Sequence, residues 1–233
     1  MSTAPLDEPL PLRQKVYLYL SGVFITALLI GDTIGSKLFV LDLPVIGQAT
    51  FSVGAMWFPI TFVLTDVINE FYGKRGARTI TFAAFWMALF AFCVIWIARQ
   101  IPAASFSPIP QDMFDQVFGG ANRIFFASMV AYLIGQLLDI SLFHFIKQAT
   151  GQRFIWLRST GSTAASQLID SVVVVGIAFW GVFPLDALLK MMGVGYLMKL
   201  LVAVALTPVI YALHALLHRK LGMAEAPVAQ STR

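Results

Sequence analysis

The 233 residues are 58% hydrophobic and only 12% charged, with a mean hydropathy of +0.80. A soluble domain carries about one quarter charged residues, so this balance excludes an ordinary soluble fold. The net charge of +4 does not point to nucleic acid, because the basic residues fall between apolar runs, as topology signals do. The single cysteine, Cys93, excludes an intrachain disulfide and a cysteine-type metal site.

In chain order, a polar tail over residues 1–15 carries Arg13 and Lys15 and leads into six apolar runs. These are Val16–Leu38, Gly54–Tyr72, Ala77–Ala98, Ile124–Ile146, Ser162–Val182 and Ala187–Leu217. Each suffices, at about 1.5 Å per residue, to cross a hydrocarbon core of about 30 Å. The expectation is an all-α membrane bundle of about six helices over residues 16–218, with a polar tail over 219–233. The first run reads as a retained anchor rather than a cleaved leader, because no small-residue cleavage site follows it. The last run is over-long, so its span is expected to begin near Val194, with Pro208 kinking it.

Loop charge orients the bundle. Arg13, Lys15, Lys74, Arg75, Arg78, Lys147, Arg153, Arg158, Arg219, Lys220 and Arg233 fall on one side, against Lys37, Arg99, Arg123 and Lys190 on the other. The excess of bases predicts that both termini are cytoplasmic. On the opposite side, Pro102, Pro108 and Pro110 break the chain before Gln111–Phe118. That segment places Met113, Phe114, Val117 and Phe118 as a short interfacial helix would. Trp57, Trp96, Trp156 and Trp180 fall near span ends, as an aromatic belt requires.

The polar residues inside the runs carry the functional signal. Asp66, Asn69 and Glu70 share one face of the second run, just before Gly73 and the Lys74/Arg75/Arg78 cluster. The fourth run aligns Ser128, Tyr132, Gln136 and Asp139; the fifth aligns Thr163, Gln167 and Asp170. Gln-x-x-Asp therefore occurs twice, in spans expected to run antiparallel. The first run is interrupted by Gly31, Asp32, Gly35 and Lys37. A charge at the bilayer centre costs about 2.5–3.5 kcal/mol on insertion scales. Five acids (Asp32, Asp66, Glu70, Asp139 and Asp170) exceed the bases available to balance them: His144, Lys199 and His214, with Lys147 at a membrane edge. His144, His214 and His218 read as interfacial, and Lys199 as the partner of an acid. Interhelical hydrogen bonding accounts for any one acid more easily than for all five, and a binding cavity accounts for the set.

Three segments, Phe58–Arg75 (FPITFVLTDVINEFYGKR), Ala131–Ile140 (AYLIGQLLDI) and Arg158–Ser171 (RSTGSTAASQLIDS), together resemble the queuosine precursor transporters, also called the vitamin-uptake-type transporter family. The likeness runs from about Gly22 to His214. It implies a multi-pass protein of a bacterial inner membrane that takes up 7-deazaguanine bases, with a nucleobase and the lipid bilayer as partners and no nucleic acid. It implies no cofactor and no metal, and leaves a homodimer open. A carboxylate can accept the ring N–H and amino group of a guanine-like edge, and an amide can donate to the ring carbonyl. Asp139 and Asp170 with Gln136 and Gln167 are thus expected to read the base, and Asp66 with Glu70 to gate or couple. Asn69 joins these as a substrate-binding candidate, with Asp32, Lys37 and Lys199 as candidate gating or coupling groups. An alternative is a substrate-binding subunit driven by separate ATPases, since no Gly-x-x-x-x-Gly-Lys-Ser/Thr loop is present. An intramembrane enzyme and a channel fit less well. There is no His-Glu-x-x-His or Gly-x-Ser-x-Gly motif, and acids at several depths do not form one selectivity ring.

Overall fold

A computed structural model describes residues 10–35, 37–43, 47–54, 57–119, 122–150 and 154–226. Ser36, Met56, Arg153 and Arg233 lie outside these, as do the side chains of Arg123 and Lys220. The helices are α1 (Leu12–Thr33), α2 (Phe58–Gln100), α3 (Gln111–Phe118), α4 (Asn122–Ala149), α5 (Ile155–Phe179) and α6 (Leu185–Ala215). A single π turn, Leu216–Lys220, follows α6. All except α3 are long and apolar enough to cross a membrane. The bundle is inside-out relative to a soluble protein. Trp86, Phe90, Phe145 and Leu201 face outward, while Asp66, Glu70, Asp139, Lys147 and Arg158 are buried. Such a surface suits lipid, and multiple spans follow from it.

At 43 residues α2 would run about 65 Å if straight, roughly twice the membrane core. It is not straight. Gly73 leaves helical geometry at φ 71°, ψ −178°, a backbone region open essentially to glycine alone. Thr65 donates to Gln136 at 3.2 Å, and Tyr132 donates to the Thr81 carbonyl at 3.2 Å. Tyr132 and Gln136 are one turn apart on α4, whereas Thr65 and Thr81 would be about 24 Å apart on a straight helix. Both contacts hold only if the two legs of α2 fold back on each other about Gly73. The second and third apolar runs are therefore two legs joined by one residue, and Lys74, Arg75 and Arg78 stand on the helix rather than in a loop.

A Cβ at Gly73 would also meet the Ala226 methyl at 3.4 Å. Gly73→Ala is therefore expected to cost about 1–3 kcal/mol, read as a lower melting temperature in detergent. An unchanged midpoint would show that the elbow tolerates another conformation.

Several expectations need correction. The first run does not stay helical to Leu38: α1 ends at Thr33, and β1 (Leu38–Leu43) pairs antiparallel with β2 (Gly47–Ser52). Glycines let this hairpin dock on α1, since a Cβ at Gly54 would lie 2.0 Å from the Gly31 carbonyl oxygen. The last helix begins at Leu185, not near Val194, and continues through Pro208. The short helix Gln111–Phe118 forms as the spacing predicts. It is tied to the end of α2 by Arg99 Nε donating to Asp115 at 2.7 Å, and that bond holds the Asp115 carboxyl below its usual range.

The two ends of the bundle differ. One is built by the β hairpin, α3 and the α5–α6 turn. The other is built by the Gly73 elbow, the start of α1 and the end of α6. At the elbow end Arg13 donates to the Phe71 carbonyl, Tyr72 donates to the Arg13 carbonyl at 2.7 Å, and Tyr17 donates to the Gly76 carbonyl at 2.8 Å. Residues 221–226, placed in the tail by the sequence reading, lie against this elbow. The Ala226 amide donates to the Glu70 carbonyl at 2.8 Å, and Met223 and Ala226 are buried.

Candidate functional site

Between α1, the legs of α2, α4, α5 and α6 lies a cavity of about 880 Å³, edged at the hairpin end by Phe39, Leu41 and Phe118. Its volume falls in the range of small-molecule sites. Much of its wall is aromatic, including Phe58, Phe62, Phe92 and Phe125. Phe92 and Phe125 stack on each other at 4.0 Å with 12° between their planes, which ties the second leg of α2 to α4.

Against this apolar background stand a few polar groups: Asp32, Asp66, Gln136, Gln167, Asp170 and Lys199. Lys199 pairs with Asp170, as expected from sequence. Three other groups leave atoms without a hydrogen-bond partner among the described residues although buried: Asp66 Oδ1, Gln136 Nε2 and Gln167 Oε1. An unsatisfied buried polar atom costs about 1–3 kcal/mol. All three belong to residues of the cavity wall, and they bring a carboxyl oxygen, an amide donor and an amide acceptor to it.

The other sequence candidates lie outside this cavity. Asp139 is turned away from it, and its Oδ1 accepts from the hydroxyls of Ser162, Thr163 and Ser166 at 2.9, 3.3 and 3.2 Å. It joins α4 to α5 and does not meet Asp170, so the expected Asp139/Asp170 pair is not formed. The carboxyl that shares the cavity wall with Gln136 is Asp66, which the Ser159 hydroxyl orients through Oδ2. Asn69 sits against the His144 ring at 3.2 Å, and His144 is half-buried. Lys37 is exposed and does not line the cavity.

Glu70 lies toward the elbow, bound by Lys147 at 3.0 Å and Arg158 at 2.8 Å. Lys147 and Arg158, taken from sequence as edge and loop residues, are 1% and 0% exposed. The shortage of buried bases inferred from sequence is smaller than it looked. The signal available was proximity: each base lies at the elbow end of its helix, where the Glu70 face ends. Glu225 lies beside Glu70 and accepts from His214 at 2.9 Å. Ligand atoms of Glu70, His214 and Glu225 come within 4.8 Å of one another. A metal ion there would face Lys147 and Arg158 as well, so the cluster fits an ion-pair closure better than a metal centre. Asp66, Ser159 and Ile210 line both the large cavity and a space of about 10 Å³ that reaches Glu70 and His214. That space holds about one water. The Glu70 charge pairs thus stand between the cavity and the elbow end, and residues of the hairpin and α3 edge it at the other.

The family described as "Putative vitamin uptake transporter" matches residues 52–213. The chain is 33% identical over 165 residues to a Bacillus subtilis (strain 168) protein named "Probable queuosine precursor transporter", covering 70% of this chain and 71% of that one. It is 29% identical over 195 residues to the "Queuosine precursor transporter" of Escherichia coli (strain K12), covering 77% and 80%. A Haemophilus influenzae (strain ATCC 51907 / DSM 11121 / KW20 / Rd) protein, also named "Probable queuosine precursor transporter", is 31% identical over 176 residues, with 71% of each chain covered. No solved structure matches the chain. The matched family and these relatives are transporters and not enzymes, and this chain belongs to the vitamin uptake transporter family.

Proposed function

We propose that the protein takes up queuosine precursors, 7-deazaguanine bases, across a bacterial inner membrane. The chain crosses that membrane six times, with the two legs of α2 counted separately and both termini in the cytoplasm. Several observations support the topology. Arg13, Lys15, Arg75, Arg78 and Arg219 are exposed at the elbow end, against Lys37 and Lys190 at the other. The excess of bases persists after the buried Lys147 and Arg158 are removed from the count. The cavity therefore faces outward, and the Glu70 cluster closes its cytoplasmic side.

The observation that carries the substrate reading is a cavity of about 880 Å³, largely apolar, whose wall includes Asp66, Gln136 and Gln167. Asp66 Oδ1 suits the ring N–H and amino group of a guanine-like edge, and Gln136 Nε2 suits its ring carbonyl. Phenylalanines in the wall suit a flat bicycle. The relatives are named queuosine precursor transporters, which supports the reading. Asp170 with Lys199 completes the polar wall, while Asp139, Asn69 and Glu70 hold the helices that carry it.

The test is binding by the purified chain, with guanine, 7-cyano-7-deazaguanine and 7-aminomethyl-7-deazaguanine as probes, followed by uptake into liposomes containing this chain alone. Binding of the deazaguanines is expected, and Asp170→Asn is expected to weaken it at least tenfold, because it leaves Lys199 unpaired in the cavity wall. Intact protein that binds none of the three bases overturns the substrate reading. Liposome uptake that needs an added ATPase assigns the energy source to a partner.

A further inference from the structure

Among the described residues, four Asp, Glu, Lys or Arg side chains line the cavity: Asp32, Asp66, Asp170 and Lys199. Lys199 and Asp170 cancel each other. Asp66 has a hydroxyl from Ser159 on one oxygen. Asp32 has no side-chain hydrogen bond or ion pair with any described residue, although it lies in the wall of the cavity beside Gly31 and Thr33. A carboxylate in an apolar wall without a cationic partner is costly, and the cost falls when a cation is brought to it.

Its place along the wall matters as much as its charge. Asp32 is within electrostatic reach of Tyr132. Gln136 stands four residues further along α4, about 6 Å away in rise, and touches Thr65, the chain neighbour of Asp66. The order along the wall is therefore Asp66, Gln136, Asp32. On a 7-deazaguanine the groups run in the same order: the ring N–H and amino group, then the ring carbonyl, then the substituent on the five-membered ring. With Asp66 on the amino edge and Gln136 donating to the carbonyl, that substituent points past Tyr132 toward Asp32.

We infer that Asp32 reads a positive charge on the side arm of the substrate, so that the transporter favours the cationic 7-aminomethyl base over the neutral 7-cyano base. This rests on the substrate reading proposed above and adds to it which member of the class is preferred and which residue decides.

The experiment compares the affinities of 7-aminomethyl- and 7-cyano-7-deazaguanine for the purified full chain. The wild-type protein is expected to bind the aminomethyl base at least tenfold more tightly, a measurement that needs no variant. In Asp32→Asn the ratio of the two affinities is expected to fall about tenfold, and in Asp32→Glu, which keeps the charge, to stay near its wild-type value. A wild-type ratio at or below one overturns the inference, as does a ratio that Asp32→Asn leaves unmoved. Both results leave the substrate reading standing, since the bases still bind. If neither deazaguanine binds the wild-type chain, the substrate reading falls and the inference falls with it.

Discussion

Glu70→Ala is expected to lower the melting temperature of the detergent-purified protein by on the order of 10 °C and to cut the yield of folded protein from membranes. Glu70 is 3% exposed and holds Lys147 and Arg158, which are themselves almost wholly buried. Breaking a buried pair by removing one partner costs about 3–5 kcal/mol, because the remaining charge is stranded in a low dielectric. At roughly 2–4 °C per kcal/mol for a chain of this length, that gives the stated shift. Glu225 limits the damage only in part, because it reaches the cluster from the chain end and already accepts from His214. The paired change Glu70→Gln with Lys147→Met removes one charge of each sign and is expected to lose less than Glu70→Gln alone. A Glu70→Ala protein that melts like wild type would mean that the two cations find water at the elbow. The cluster would then not seal the cavity.

The bundle was legible in the sequence because lipid leaves few choices. Apolar runs long enough to cross must be helices, and Gly73 before a Lys/Arg cluster marks a turn. What was not legible is side-chain direction within one turn. Gln136 and Asp139 are three residues apart, which separates them by about 60° around α4. From sequence they share a face. In the bundle that angle decides between the cavity and the α4–α5 seam. The seam is set by Ser159, Ser162 and Ser166, small residues that let α5 approach α4 closely and that supply hydroxyls to Asp66 and Asp139. The spacing of these serines was visible and points to a packing face, so the assignment of Asp139 to the seam was within reach. The β hairpin was harder. Leu-Phe-Val-Leu at the end of an apolar run reads as continued helix, and only Gly31, Gly35 and Gly54 together, which allow backbone to meet backbone, argue for a docked strand pair. Arg158 and Lys147 were misread because charge counting treats a base near a span end as a loop base, and it is their acid on another helix that draws them inside.

Asp66→Asn is expected to cost about 100-fold in affinity for 7-cyano-7-deazaguanine, the largest loss of any single conservative change in the cavity. Ser159 donates to Oδ2 and leaves Oδ1 without a described partner. With the asparagine oxygen kept on the Ser159 hydroxyl, as the Asp66 Oδ2 is now, the amide NH₂ faces the ligand's N–H donors. An attractive charged contact becomes a donor–donor clash. Hydrogen bonds to charged groups contribute about 1.5–3 kcal/mol, and the upper part of that range corresponds to about two powers of ten in affinity. Ser159→Ala removes only the orienting hydroxyl and is expected to cost about tenfold. Asparagine has the shape of aspartate and keeps the Ser159 contact, so the fold should not suffer, and an Asp66→Asn melting temperature near wild type separates lost recognition from lost structure. Equal affinity in Asp66→Asn would move Asp66 out of the binding set. It would leave it as a carboxylate between the cavity and the one-water space leading to Glu70 and His214, a position suited to passing a proton and not to reading a base.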